Sequence, residues 1–139
     1  MDTSLNPLII LFLFFIGSVF GSFLNVVIYR VPKKMSIVFP SSHCFSCKKN
    51  IPLKYNIPIV GYFLLKGKCI NCSKSFPSRY AFVELITAIL TIIIYLIFDI
   101  SPLFFIYLVL TYLLIAVTFV DIDHFIIPNG FILFGLAVL

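Results

Sequence analysis

Charge is what this sequence lacks. Only 11% of its 139 residues are Asp, Glu, Lys or Arg, while 62% are hydrophobic. Soluble chains average about 25% charged and 45–50% apolar, so this chain cannot supply the polar surface that a water-exposed globule needs. An ordinary cytosolic enzyme, an intrinsically disordered chain and a secreted disulfide scaffold are excluded, which leaves an integral membrane protein. Acids are scarcest: Asp2, Glu84, Asp99, Asp121 and Asp123 are the full set. Lys and Arg are absent outside one window, because all ten lie between Arg30 and Arg79. The net charge of +5 thus belongs to one segment. Its confinement carries more information than its sum, and no nucleic-acid partner is expected.

Three stretches outside or at the edge of that window are long enough to span a bilayer, which takes roughly 17–25 apolar residues. Leu8–Tyr29 has 22 residues and no charge, Tyr80–Phe98 has 19 with Glu84 alone, and Leu103–Val120 has 18 with none. In lipid only a helix satisfies its own backbone, so the fold class is an all-α polytopic membrane protein. It divides into a first transmembrane helix over 1–30, a basic four-cysteine module over 31–79, and a transmembrane region over 80–139. That region holds spans at about 80–98 and 103–121 and a truncated span from about 129. Basic residues beside spans stay in the cytoplasm, which puts the module there and the N-terminus and the turn Asp99–Pro102 outside. A cleaved signal peptide would need a basic leading segment and a shorter apolar core; the first seven residues carry only Asp2.

The cysteines form two pairs, Cys44-x-x-Cys47 and Cys69-x-x-Cys72, with 21 residues between them. Each pair can present two thiolates to one tetrahedral zinc ion, and two such turns complete its shell. A reducing cytoplasm disfavours structural disulfides. Lys48, Lys49 and Lys68 flank the pairs and offset a doubly negative four-thiolate site. Four free thiols or redox-active pairs remain the alternative. His43 is a solvated neighbour, since four cysteines fill the shell. The lysines of the module are expected to meet anionic headgroups of membrane lipids, although a basic loop that only fixes topology accounts for the same charges.

An acid inside a span costs about 2.5–3.5 kcal/mol at the helix centre and is a functional candidate for that reason. Glu84, about one turn inside its span, is expected to pair with Arg79 or Arg30, to line a polar pocket, or simply to sit at a helix start. Asp121 and Asp123 close the third span. Two helical residues are about 200° apart, so these acids face nearly opposite ways. Pro128 breaks the helix after them and Asn129 can cap the next one. Asp121 then sits at a helix C-terminus and could share a proton with an acid from another helix, or the two could be interfacial acids in a polar turn.

Taken together, these segments resemble the N-terminal part of the type IV prepilin peptidases, the leader peptidases and N-methyltransferases of pilus, type II secretion and competence systems. The residues that carry the resemblance are Gly21-Ser22-Phe23-Leu24-Asn25-Val26-Val27-Ile28-Tyr29-Arg30-Val31-Pro32, the two Cys-x-x-Cys pairs, Asn56-Ile57-Pro58, Leu65-Lys66-Gly67-Lys68-Cys69, Arg79-Tyr80-x-x-Val83-Glu84-Leu85-x-Thr87-Ala88, and Asp121-Ile122-Asp123-His124-x-Ile126-Ile127-Pro128-Asn129. The resemblance implies an intramembrane aspartic endopeptidase of the bacterial inner membrane, acting at the cytoplasmic face on prepilins or pseudopilins. One carboxylate activates water and the other protonates the departing amine. By resemblance Asp121 is the first catalytic residue, and the second belongs to a Gly-x-Gly-Asp motif in a later span, which this sequence does not contain.

The expectation is therefore a fragment or truncated product, inactive alone, carrying half of a dyad. A homodimer sharing two Asp121 residues is a remote alternative. S-adenosylmethionine enters only through the resemblance, since no strand–glycine turn–helix unit is visible; Glu84 and Asn25 are its polar candidates near the membrane face, with Asp123 a further polar site residue. A non-catalytic zinc-stapled membrane module that binds partners, and a transporter component with Glu84 and Asp121 on a pathway, are the competing functions. No internal repeat favours the transporter.

Overall fold

The structure of the protein, a computed structural model, describes residues 6–39, 41–44, 46–124, 133 and 135–137. Three long helices dominate: α1 (Pro7–Arg30), α3 (Arg79–Phe98) and α4 (Pro102–His124), with the one-turn α2 (Val60–Leu64) in the intervening module. All three are long and apolar enough to cross a membrane. No strand occurs among the described residues, only two isolated bridges. The break at Pro128, the cap at Asn129 and most of the short final span lie outside the described residues. Within that span Leu133 and Gly135–Ala137 are helical, and Gly135 lies against Leu113 of α4.

Local chemistry explains the helix ends. Asn6 caps α1 by accepting the Leu8 amide at 3.0 Å, and Pro7 follows where no backbone donor is required. Asp99 ends α3 with a φ of 50°, and its carboxylate accepts the Ile100 amide at 2.7 Å. Ser101 then accepts the Phe104 amide at the start of α4, again ahead of a proline. The turn is tight, so α3 and α4 run antiparallel, and α4 comes back to the end of the bundle where α1 stops and α3 begins.

The closest packing is between α1 and α3. A Cβ added at Gly21 would lie 2.6 Å from the Glu84 Cα, and one at Gly17 would lie 2.7 Å from the Ala88 Cα. Glycines four apart place both on one helix face, and without a Cβ the two backbones can touch. Dispersion between close backbones is what associates helices in lipid, where apolar burial offers little. The Gly17-Ser18-Val19-Phe20-Gly21 pattern was available in the sequence and marks this contact. Leu24 and Ile28 of α1, Val83 of α3, and Tyr112, Ile115, Ala116 and Val120 of α4 form the core at the module end. Ile94, Tyr95 and Phe104 form another near the opposite turn. Buried Thr87 and Thr91 donate to carbonyls one turn back, and Thr91 also meets the Tyr112 hydroxyl at 2.7 Å. Outward-facing Leu11, Phe12, Phe15 and Phe23 are exposed, as side chains solvated by lipid should be.

Candidate functional site

Two hairpin turns bring the four cysteines together. In the first, the Cys44 amide donates to the Lys49 carbonyl at 3.0 Å and the Lys48 amide returns to the Cys44 carbonyl at 2.8 Å. In the second, the Cys69 amide donates to Lys74 and the Ser73 amide returns to Cys69, both at 2.9 Å. The bridges His43–Asn50 and Lys68–Ser75 close the two turns in the same register. Lys48 and Ser73, each four residues after its first cysteine, share a φ near 57° (56° and 57°). The module is thus one turn used twice, 25 residues apart. The repeat Cys-x-x-Cys-x-Lys-[Asn/Ser] at Cys44–Asn50 and Cys69–Ser75 is its mark in the sequence, beyond the two cysteine pairs themselves.

All four sulfurs lie within 4.8 Å of one another. Cys44 and Cys72 are 3.6 Å apart, Cys47 and Cys69 3.9 Å. A disulfide needs about 2.05 Å. Four thiolates at about 2.3 Å from a tetrahedral ion stand about 3.8 Å apart, so the spacing fits a metal and not a bond between sulfurs. The Asn71 amide also points at the Cys69 sulfur, 3.4 Å away. The amide of Cys47 holds the Cys44 thiol down to about 6 against the opposing effect of burial, helped by the Ser46 amide. On Cys72 the Lys74 amide acts in the same direction, but burial and the three neighbouring sulfurs push that thiol up to about 11. One sulfur ionises readily and another is held back. Collecting four negative charges here requires a cation among them. His43 is not one of this group; its Nδ1 lies 2.9 Å from the Ser41 carbonyl.

The module docks on the α1–α3 pair through Glu84. Its Oε2 accepts the Ile59 amide at 2.6 Å. Ile59 has a φ of 62°, an unfavourable backbone for a β-branched residue, and the carboxylate holds it there at the start of α2. The expected pairing of Glu84 with Arg79 does not occur: Arg79 forms its ion pair with Asp123 instead. The pocket alternative does hold. Glu84 is 8% exposed and, with Asn25 at 5%, lines a cavity of about 160 Å³ between the module and the helix ends. Asn25 donates from Nδ2 to the Tyr80 carbonyl at 3.0 Å, while its buried Oδ1 has no partner among the described residues. Tyr29, Tyr55, Tyr62 and Tyr80 supply the aromatic wall. Sequence reasoning did not single these tyrosines out, since they come from three separate segments that only the fold joins.

Asp121 and Asp123 lie on the last turn of α4, at the module end. The Arg79–Asp123 ion pair ties α4 to the start of α3. With about 100° per helical residue, Asp121 then points away from α3, and it is exposed. Asp99 is at the opposite end of the bundle, so the structure separates it from Asp121 as expected. Glu84 and Asp123 are engaged with Ile59 and Arg79, and Asp121 has no ion pair among the described residues. The two polar candidates Asn25 and Glu84 are brought together, and Asp121 stands apart from them on another helix.

The Bacterial Peptidase A24 N-terminal domain matches residues 15–98, that is, most of α1, the module and α3, and stops short of Asp121. The prepilin leader peptidase/N-methyltransferase of Myxococcus xanthus is 40% identical over 88% of this chain and 37% of its own length. That of Dichelobacter nodosus is 34% identical over 89% of the chain and 53% of its length. A type 4 prepilin-like proteins leader peptide-processing enzyme of Escherichia coli O78:H11 is 34% identical over 83% of the chain and 49% of its length. The chain therefore spans about half the length of these relatives or less. No solved structure matches it significantly. With the four-cysteine module, most of α1 and all of α3 inside the residues that match the N-terminal domain, the chain belongs to the bacterial prepilin peptidase family.

Proposed function

We propose that this chain is the N-terminal portion of an intramembrane aspartic endopeptidase that removes the basic leader of prepilins or pseudopilins at the cytoplasmic face of the bacterial inner membrane. The observation that carries the reading is the placing of acids at the module end of α4: Asp123 is engaged by Arg79, and Asp121 is exposed on the other side of the same helix. Asp121 is one catalytic carboxyl group. The other comes from beyond the described residues. Between them, one takes a proton from water as it attacks the peptide carbonyl, and the other gives a proton to the departing amine. Arg79 holds the Asp123 carboxylate in an ion pair against the start of α3, on the other side of the helix from Asp121.

The four cysteines hold one structural Zn²⁺. Four sulfurs close its shell and leave no position for water or substrate, so the ion supplies folding energy and not hydrolysis. Its role is to hold the turn that carries Ile59 against Glu84. N-methylation of the new N-terminus with S-adenosylmethionine is the family's second activity. The cavity beside Glu84 is small against the ~300–1,000 Å³ pockets that enclose whole drug-sized ligands. The described residues therefore do not enclose that donor.

The test is a fusion of this chain to the C-terminal half of the Myxococcus xanthus relative, co-expressed with a prepilin. Asp121→Asn is expected to abolish leader removal with normal membrane insertion, because an amide is nearly isosteric but cannot exchange the proton. Asp123→Asn is expected to reduce cleavage much less. Cleavage by Asp121→Asn at the parental rate would overturn the reading and favour the non-catalytic module.

A further inference from the structure

The polar module has one bare apolar face, on the one-turn helix α2. Gly61, Tyr62 and Leu65 turn inward and line the cavity against the α1–α3 pair. Val60, Phe63 and Leu64 turn outward, and Phe63 and Leu64 are 69% and 60% exposed. Residues at this three-and-four spacing share one side of a helix, and Ile57 extends the patch. Large apolar side chains gathered on an otherwise polar module mark a contact with something other than water.

Glu84 fixes the depth of this face. The Ile59 amide, at the head of α2, donates to the Glu84 carboxylate. Glu84 is four residues, about 6 Å, inside the apolar run of α3 that begins at Tyr80. That run of 19 residues measures about 28 Å, close to the ~30 Å hydrocarbon core. Helical side chains lean toward the helix N-terminus, here the module end, so α2 lies beside the first turns of α3 at the hydrocarbon edge. The neighbouring helix gives a similar level, since Gly21, which faces Glu84, is nine residues, about 13 Å, short of the end of α1. The backbone of α2 is also suited to that depth. The Gly61 amide donates to Ile57, Phe63 to Ile59 and Leu65 to Gly61, at 2.7, 3.3 and 3.1 Å. These amides need no water, as a segment entering lipid requires.

Protein covers the opposite side of the α1–α3 pair. On α1, Leu24 packs into the core shared with α4, whereas Ser22 and Val26, each about 160° round the helix from it, line the cavity beneath α2. Gly135 lies against Leu113 of α4, on α4's side of the pair. The outer face of α2 is left to the bilayer. Lys54, Lys66 and Lys68 flank it in the chain and are exposed, and no acid occurs between residues 31 and 83. That one-signed flank complements anionic headgroups.

We propose that α2 is a membrane-inserted anchor, with Phe63 and Leu64 among the upper acyl chains of the leaflet on the module side and the flanking lysines among its anionic headgroups. The anchor rests on α1 and α3 spanning the bilayer and not on peptidase activity.

The chain contains no tryptophan, so Phe63→Trp installs a single fluorescent reporter on an exposed position. The variant is reconstituted in vesicles of phosphatidylcholine and phosphatidylglycerol, with the phosphatidylcholine brominated either next to the headgroup or near the acyl methyl end. Insertion to the ~5–10 Å of an interfacial helix predicts quenching by the headgroup-side bromine at least about twofold stronger than by the deep bromine, with little quenching by aqueous iodide. Phe15→Trp, on the outward face of α1 nearer its middle, should show the reverse depth preference. Leu64→Trp repeats the measurement should Phe63→Trp fail to fold. Strong iodide quenching would overturn the proposal by placing α2 in water. Blue emission that neither bromine nor iodide quenches would overturn it in favour of a second copy of the chain. The same reporter in the fusion to the Myxococcus xanthus C-terminal half should stay quenched by lipid; loss of that quenching would overturn the proposal in favour of later spans. Equal headgroup-side quenching in vesicles without phosphatidylglycerol would overturn the role given to the lysines. No readout involves cleavage, so failure of leader removal and failure of the anchor are separate results.

Discussion

Gly21→Ala should separate α1 from α3, and the structure sets the size of the effect. The new Cβ would stand 2.6 Å from the Glu84 Cα, with two Thr87 side-chain atoms at 3.2 Å. Carbon atoms pack at about 3.5–4.0 Å, so the helices must part by about 1 Å. The obstructing atom is backbone, and no rotamer change can remove it. Overpacking of this kind costs about 1–3 kcal/mol, and alanine recovers about 1 kcal/mol through its better helix propensity. The net expectation is a loss of about 0–2 kcal/mol, measured by reversible unfolding in mixed detergent micelles. Val19→Ala, on the exposed face of the same turn, should change stability by less than about 0.5 kcal/mol. Gly21→Ala together with Gly17→Ala should cost less than the sum, because parting the helices once relieves both contacts. A Gly21→Ala chain more stable than its parent by the full ~1 kcal/mol of helix propensity would refute the close-backbone account of this interface.

Purified protein should hold about one zinc per chain by elemental analysis, and Cys44→Ser or Cys72→Ser should remove most of it; a metal-free chain with the same stability would contradict the proposed centre. Single cysteines placed at Lys54 and Ser101 in a background lacking the native four should be labelled from opposite sides of the membrane, the first from the cytoplasm. Labelling of both from one side would reverse the topology. Lys48→Gly and Ser73→Gly relieve a left-handed backbone that costs a side-chain-bearing residue about 1–2 kcal/mol, so each should slow zinc loss to a chelator; faster loss would show that those side chains hold the turns.

Much of this architecture was legible because lipid imposes one rule everywhere: long apolar runs become helices. Helix bounds fell within a few residues of the apolar runs, and α4 continues through Asp123 to His124 because its hydrogen-bond ladder is indifferent to where the apolar run ends. The cysteine pairs were legible because metal geometry fixes their local spacing. What escaped was everything set by the relation of separate segments. Arg79 stands five residues before Glu84 and about 140° round the same helix, and α4 returns beside the start of α3 so that Asp123 takes it. Asn25 and Glu84 were visible as polar residues in apolar helices, yet their meeting follows from the register that Gly17 and Gly21 set. The role of Ile59 carried no sequence signal at all, since nothing in its residue type suggests a left-handed backbone held by an acid 25 positions away.

The double-turn module also bears on how such a chain assembles as it leaves the ribosome. Residues 31–78, 48 in all, separate the two helices that must pack most closely. As a slack tether this segment would let α1 and α3 wander apart in the bilayer. Once the sulfurs gather, the stretch from Cys44 to Cys72 is locked, and only 31–43 and 73–78 remain to be closed. By loop-closure entropy this shortening favours the α1–α3 encounter by about 1 kcal/mol, or several-fold in local concentration. Metal capture by the polar loop would thus hasten pairing of two helices that it never touches along most of their length, making cellular metal supply a determinant of how fast the membrane part matures.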